Sequence, residues 1–240
     1  MNKLEFRYHP EIMQRFPKVV GGVILARDLH NTPTPQALQK AYLEEQQTIL
    51  KKIGEIPLSE LPTLAAWRGA FRAFGVDPTK YRSAAEALLR RLTKKGDIPI
   101  INTLVDNCNL VSIRYALPVA AFDAREITGA VTVSFANGTE AFTAHDSPEP
   151  EHPEAGEVIF IDEAGLVVAR RWCWKQSVES TVDLETTDII LTLEAQHEEG
   201  PRDIQAALND LLKLLSEYMK GSYTNGMIGR GLPLGIISNQ

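Results

Sequence analysis

The amino-acid sequence predicts an α+β fold, a mostly antiparallel sheet with helices packed against it. Three observations carry that prediction. Helical periodicity runs through the first half of the 240 residues, from Gln36 to Tyr115. Past Pro118 the chain breaks into short runs of strand-forming residues separated by turn signals. One amphipathic segment, Pro201–Lys220, closes the pattern. Helices, then strands, then a final helix is the order of an α+β domain; a parallel sheet would alternate strand and helix throughout.

Taken in order, Leu4–Tyr8 alternates weakly and reads as a strand, and His9–Phe16 as a helical turn closed by Pro17. Val19–Leu29 reads as a buried strand in which Gly21-Gly22 marks a bulge or a close backbone approach. Asn31-Thr32-Pro33-Thr34-Pro35 turns the chain into a helix over Gln36–Ile53, with Leu38, Tyr42, Ile49 and Leu50 at helical spacing. After the break at Gly54–Pro57, Leu61–Phe74 is a second helix ended by Gly75. Ser83 and Glu86 form a capping box for Ala84–Lys95, which Gly96 stops. Ile100–Tyr115 is a further helix. Strands follow at Val119–Asp123, Thr128–Phe135, Glu140–Ala144, Glu157–Asp162, Leu166–Arg171 and Asp188–Glu194. The expected organisation is one domain over residues 1–220, with an N-terminal strand-and-helix part (1–57) and a core (58–220). Five glycines and Pro233 make 221–240 a flexible tail.

Hydrophobic residues at 44% and charged residues at 23% exclude wholesale disorder. No run of about 18 apolar residues exists to span a membrane. The start, Met1 to Arg7, has no apolar signal region, and Cys108 and Cys173 make no disulfide framework, so a cytoplasmic location is expected. The net charge of −6 weighs against non-specific coating of nucleic acid, and DNA is not an expected partner. The charge is segregated, however. Leu64 to Lys95 holds eight basic residues against two acids, a balance of +6; Glu140 to Glu163 holds eight acids and no Lys or Arg.

The five histidines are scattered, and neither CxxC nor HExxH occurs, so neither metal nor other cofactor is expected. No phosphate-cradling glycine loop and no GxSxG elbow is present, and Cys108 reads as a buried thiol. On the helix Ile100–Tyr115, Asn102, Asp106 and Asn109 fall within about a 60° arc, a narrow polar stripe of poor helix formers. Such a stripe is either a solvated face or a ligand site. A second cluster is Glu157 with Arg170-Arg171-Trp172-Cys173-Trp174-Lys175. If Leu166–Lys175 is one strand, Arg170, Trp172 and Trp174 share a face. Two Trp there make either a core or a wall for stacking a base, a ribose or a side chain.

The ordered blocks Phe71-Arg72-Ala73-Phe74-Gly75-Val76-Asp77-Pro78 through Leu89-Arg90-Arg91, Ile98-Pro99, Asn102, Val105-Asp106, Asn109, Val111-Ser112, Gly156-Glu157-Val158 and Arg171-Trp172-x-Trp174-Lys175 resemble one family. It is the tRNA-binding and editing domain of the phenylalanyl-tRNA synthetase beta subunit, in its free-standing form. The resemblance runs from about Leu61 to Ser180. It implies an α+β fold enclosing an editing pocket, and hydrolysis of a mischarged aminoacyl-tRNA without metal. The expected partner is the aminoacylated 3′ end of tRNA. The chain shows no synthetase core, so action in trans and no aminoacylation are expected. The family's editing-pocket histidine finds no counterpart.

Within that resemblance, Asn102, Asp106, Asn109 and Glu157 are the candidate catalytic residues. The two asparagines orient water or the amino acid, Asp106 anchors the α-ammonium or a cationic side chain, and Glu157 orients water or the amino group. Ser112, Arg170, Trp172 and Trp174 are candidates for substrate binding. Arg68 and Arg72 would hold the terminal phosphate, and Arg90, Arg91, Lys94 and Lys95 the acceptor stem. The acids and the Trp pair point to a cationic analogue as the amino acid removed, with tyrosine the equal alternative. The competing readings are a non-catalytic module binding a tRNA end or an amino acid, and a hydrolase of small esters unrelated to tRNA.

Overall fold

The structure, a computed structural model, describes residues 3–238 except Asp146 and Pro148. Among these, β1 (Glu5–Tyr8), β4 (Ala130–Phe135), β5 (Val158–Ile161), β6 (Val167–Arg170), β7 (Lys175–Gln176) and β10 (Gly235–Ile237) form a six-stranded sheet in the order β10-β1-β4-β5-β6-β7. A four-stranded sheet takes the order β3-β8-β2-β9, from β2 (Val20–Arg27), β3 (Val119–Asp123), β8 (Ile189–Ala195) and β9 (Ser222–Gly229). Every pairing is antiparallel except β1 with β4. The helices are α1 (Pro10–Arg15), α2 (Gln36–Ile53), α3 (Pro62–Ala73), α4 (Ala84–Lys95), α5 (Thr103–Tyr115) and α6 (Gly200–Tyr218).

The four-stranded sheet is the central layer, because both of its faces are apolar. Along β2, Val20, Ile24 and Ala26 enter a core shared with α2, α4, α5 and α6. The alternate residues Val23 and Leu25 enter a second core against the six-stranded sheet and α3. Period-two alternation thus sends successive side chains of one strand to two different cores. Helices cover one face, as expected; the other face carries a second sheet, which the sequence reading did not separate from the first. Gly22 faces α6, where a Cβ would lie 3.1 Å from Ile204. The glycine lets the helix seat Ile204, Leu208 and Leu211 on the sheet; each fully buried side chain of this kind stabilises by about 1.5–3 kcal/mol.

The ends of α4 are capped by the residues expected, although the Glu86 carboxylate pairs with Arg68 instead of completing the capping box. Ser83 Oγ accepts from Glu86 N–H at 3.3 Å, and Gly96 ends α4 in the left-handed region at φ 82°. Three expectations need correction. Residues 222–229 and 235–237 are not a flexible tail: they form β9 and β10, paired with β2 and β1. Gly226, Gly229, Gly231 and Gly235 belong to the strands and the turn between them, Gly221 precedes β9, and residues 239–240 lie outside the described residues. Glu140–Ala144 makes only isolated bridges at Ala141 and Phe142. Leu166–Lys175 is not one strand, because Arg171 (φ 45°) and Trp172 (φ 62°) are left-handed and turn the chain after β6.

Candidate functional site

A cavity of about 290 Å³ opens between α5, β3, β8 and the turn that follows β6. Half-buried Asn109, Trp174, Lys175 and Gln176 stand at its mouth, and buried Phe122, Phe160 and Glu194 line its interior. Glu194 is a carboxyl in a place built for hydrocarbon. On β8, Ile189, Leu191, Leu193 and Ala195 face the helices, which puts Thr192 and Glu194 on the face turned to the other sheet. Glu194 is 2% exposed. Its Oε1 accepts from Tyr8 Oη at 2.7 Å and from Trp172 Nε1 at 2.9 Å, while no donor among the described residues reaches Oε2. Burial raises its pKa to about 7 against the lowering effect of those two bonds. A buried acid poised near neutrality in a cavity marks a candidate site on physical grounds.

The surroundings are shaped to hold this acid. Gly21 lies directly across the ladder from Glu194, and a Cβ there would sit 2.6 Å from Tyr8 Oη. The missing side chain is what lets the phenol reach the carboxyl. Trp172 is held in the inter-sheet core by edge-to-face contacts with Phe16 and Trp67, at centroid distances of 4.9 and 5.3 Å. Its backbone sits in the left-handed turn with Arg171. Two adjacent non-glycine residues in that region are costly and persist only where the surroundings impose them. Glu157 imposes them: its carboxylate takes Nε and Nη2 of Arg170, each at 2.9 Å, and the backbone N–H of Arg171 at 3.1 Å. The Arg171 guanidinium lies 3.8 Å from the Tyr81 ring centroid and 4.6 Å from that of Trp174.

The predicted site residues therefore divide. Asn109, Trp172 and Trp174 line the cavity. Asn102 precedes α5 as its N-cap, with Oδ1 accepting from Val105 N–H at 3.0 Å. Asp106 is fully buried and binds Thr34 Oγ1 and the Ile101 N–H, tying the loop before α2 to the start of α5. Burial raises its pKa, and the bond from Thr34 opposes that rise. Ser112 Oγ donates to Leu117 O at 2.8 Å and closes the end of α5. Arg170 and Glu157 satisfy each other away from the cavity. The polar stripe does not form, because α2, α4, α6 and β3 surround α5 and leave it no solvated face. Nor do the described acids from Glu140 to Glu163 line the cavity. Asp162 accepts from the N–H groups of Ala164 and Leu166 in the turn after β5 and from that of Thr128 before β4; Asp146 lies outside the described residues.

Glu194 was missed by sequence reading, although a signal exists: in Ile189-Ile190-Leu191-Thr192-Leu193-Glu194-Ala195 both polar residues fall on one face of an otherwise apolar strand. Cys108 is buried as expected, its thiol pushed up to about 12 by burial. Among the described residues no group of three or more His, Cys, Asp and Glu is placed to hold a metal ion, and no helix is long and apolar enough to cross a membrane.

The cationic stretch runs over α3, the loop that follows it and α4. Arg68 is fixed by Glu86 Oε1 at 2.8 Å and, with Arg90 and Lys94, lines a second cleft. Arg91 stands 3.8 Å from Asp97, and Arg72 and Lys95 are exposed.

Comparison with known proteins places both features inside one family match. The family model described as the B3/4 domain matches residues 66–220. The phenylalanine–tRNA ligase beta subunit of Shewanella oneidensis is 30% identical over 88 residues, which is 37% of this chain and 11% of that protein. A solved N-terminal fragment of the phenylalanyl-tRNA synthetase beta subunit from Pyrococcus horikoshii aligns over 99% of this chain and 55% of its own, at 11% identity and a TM-score of 0.47. The chain thus spans a small part of the curated relative and about half of the solved fragment.

Proposed function

The chain belongs to the B3/4 domain family, and from that premise we propose that it hydrolyses the ester of a mischarged aminoacyl-tRNA, acting in trans in the cytoplasm. The observation that carries this reading is the cavity with Glu194 inside and a cationic helix at its edge, all within the family match. An aminoacyl ester is already activated. A site need only exclude bulk water, hold one water against the carbonyl and keep the acyl group still. In this reading the amino-acid side chain enters the cavity and the ester stays at the mouth beside Asn109. Glu194 Oε2 accepts a hydrogen bond from the end of that side chain.

Of the two side-chain classes that the sequence left open, a neutral one with a terminal donor, such as the tyrosine phenol, fits better. Among the described residues one carboxyl lines the cavity, and half-protonated near pH 7 it is a weak counter-charge for a cation. A buried acceptor left without its donor is costly, so an apolar analogue is disfavoured.

A non-catalytic tRNA-end or amino-acid binding module is the second reading. One observation favours it: Asn102, Asp106 and Glu157 are engaged in structural bonds, which leaves the cavity few groups for chemistry. Incubation with a panel of mischarged tRNAs separates the two. Hydrolysis predicts amino-acid release above the buffer rate for at least one pair, slowed at least tenfold by Glu194→Ala. Binding without release for every pair supports the module.

A further inference from the structure

A second cleft, of about 350 Å³, lies beside α4. Ala84, the first residue of α4, lines the cavity, and its N–H donates to the Cys173 carbonyl in the turn. Arg90 and Lys94, one turn apart on the same helix, line the cleft with Arg68. At 1.5 Å per residue, Arg90 and Lys94 stand about 9 and about 15 Å along the axis from Ala84. A stacked strand advances about 3.4 Å per nucleotide, so that span corresponds to about three to four nucleotides.

The charges suit a phosphate. Arg90 and Lys94 have no ion-pair partner among the described residues. Glu86, which also lines the cleft, is taken up by Arg68 at 2.8 Å and lies 3.8 Å from Arg82. The bonds to Glu86 and to the Pro78 carbonyl fix the Arg68 guanidinium in place. Glu55 is the remaining acid of the cleft, and it is exposed.

Resting on the reading that the cavity takes the acyl end of an RNA, we propose that this cleft is the phosphate subsite for the same strand, about three to four nucleotides from the esterified end. Helix α4 then acts as the ruler between the two sites, and Arg90 and Lys94 are its phosphate contacts.

The test is RNA binding, which needs no hydrolysis. A fluorescent, uncharged acceptor-stem hairpin ending in CCA and a CCA trinucleotide are titrated by anisotropy at several salt concentrations. The probes are bound to the whole chain, to Arg90→Gln/Lys94→Gln and to Lys51→Gln, an exposed lysine of α2 outside the cleft. The double variant should weaken hairpin binding at least tenfold and flatten its log–log salt slope by roughly 1.5. It should leave trinucleotide binding within twofold, and Lys51→Gln should change neither. Unchanged hairpin binding, equal losses on both probes, or the same loss from Lys51→Gln overturns the proposal. Failure of the hydrolysis reading is a separate result: the predicted binding pattern with no mischarged tRNA deacylated removes the enzyme and keeps the subsite.

Discussion

The two faces of β8 are built from different chemistry. Toward the helices it presents Ile189, Leu191, Leu193 and Ala195, all fully buried in one hydrocarbon layer with α5 and α6. Toward the second sheet it presents Ile190, Thr192 and Glu194, beside a cavity. Close packing on one face makes the strand rigid, and the carboxyl on the other face is held by two donors and a missing side chain. The comparison separates residues that keep the fold from residues that the fold keeps in place.

Leu208→Ala, in α6 over Gly22, should cost about 2–5 kcal/mol in urea unfolding, since it opens a void in a dry core. It should leave the Glu194 titration where it is. On the cavity side, Gly21→Ala should cost about 1–3 kcal/mol, because its Cβ must displace Tyr8 Oη from 2.6 Å. It should also move the Glu194 titration, as Tyr8 supplies one of its two donors; a variant that loses stability with no change in titration would separate Gly21 from the site.

The smallest effect is the most specific. Folding holds the Glu194 carboxyl near pH 7, above its ordinary 4.5, so the folded state binds this proton more tightly. The associated stability is full below about pH 4.5 and is lost as pH rises through about 7. Glu194→Gln keeps an oxygen for Tyr8 and Trp172 but does not titrate. Its melting temperature relative to the parent chain should rise between pH 5 and pH 8; a constant difference would mean that Glu194 titrates in its ordinary range.

Much of the fold was legible. Helix boundaries over Gln36–Ile53 and Ala84–Lys95 follow from periodicity and caps, which act within a few residues. The division into two sheets was not, because β1 pairs with β4 and β10, more than a hundred residues away, and no local pattern records such a partner. The site was legible by half. Asn109 and the Trp pair line the cavity, and Arg68, Arg90 and Lys94 of the +6 stretch line the cleft beside α4. Asp106 and Glu157 misled because a buried acid with a structural partner and an acid poised for a ligand are the same letter in a sequence. Partners decide between them: Thr34 for Asp106, Arg170 for Glu157, and on Glu194 an oxygen that no donor among the described residues reaches.

The central claim is that Glu194 accepts a hydrogen bond from the acyl side chain in the cavity. It is tested most directly by single-turnover deacylation of one tRNA carrying either tyrosine or phenylalanine, with the parent chain and Glu194→Ala. The parent chain should prefer tyrosine at least tenfold, and the preference should collapse toward unity in the variant. Equal rates on both esters by the parent chain, or a preference that survives the substitution, would contradict it.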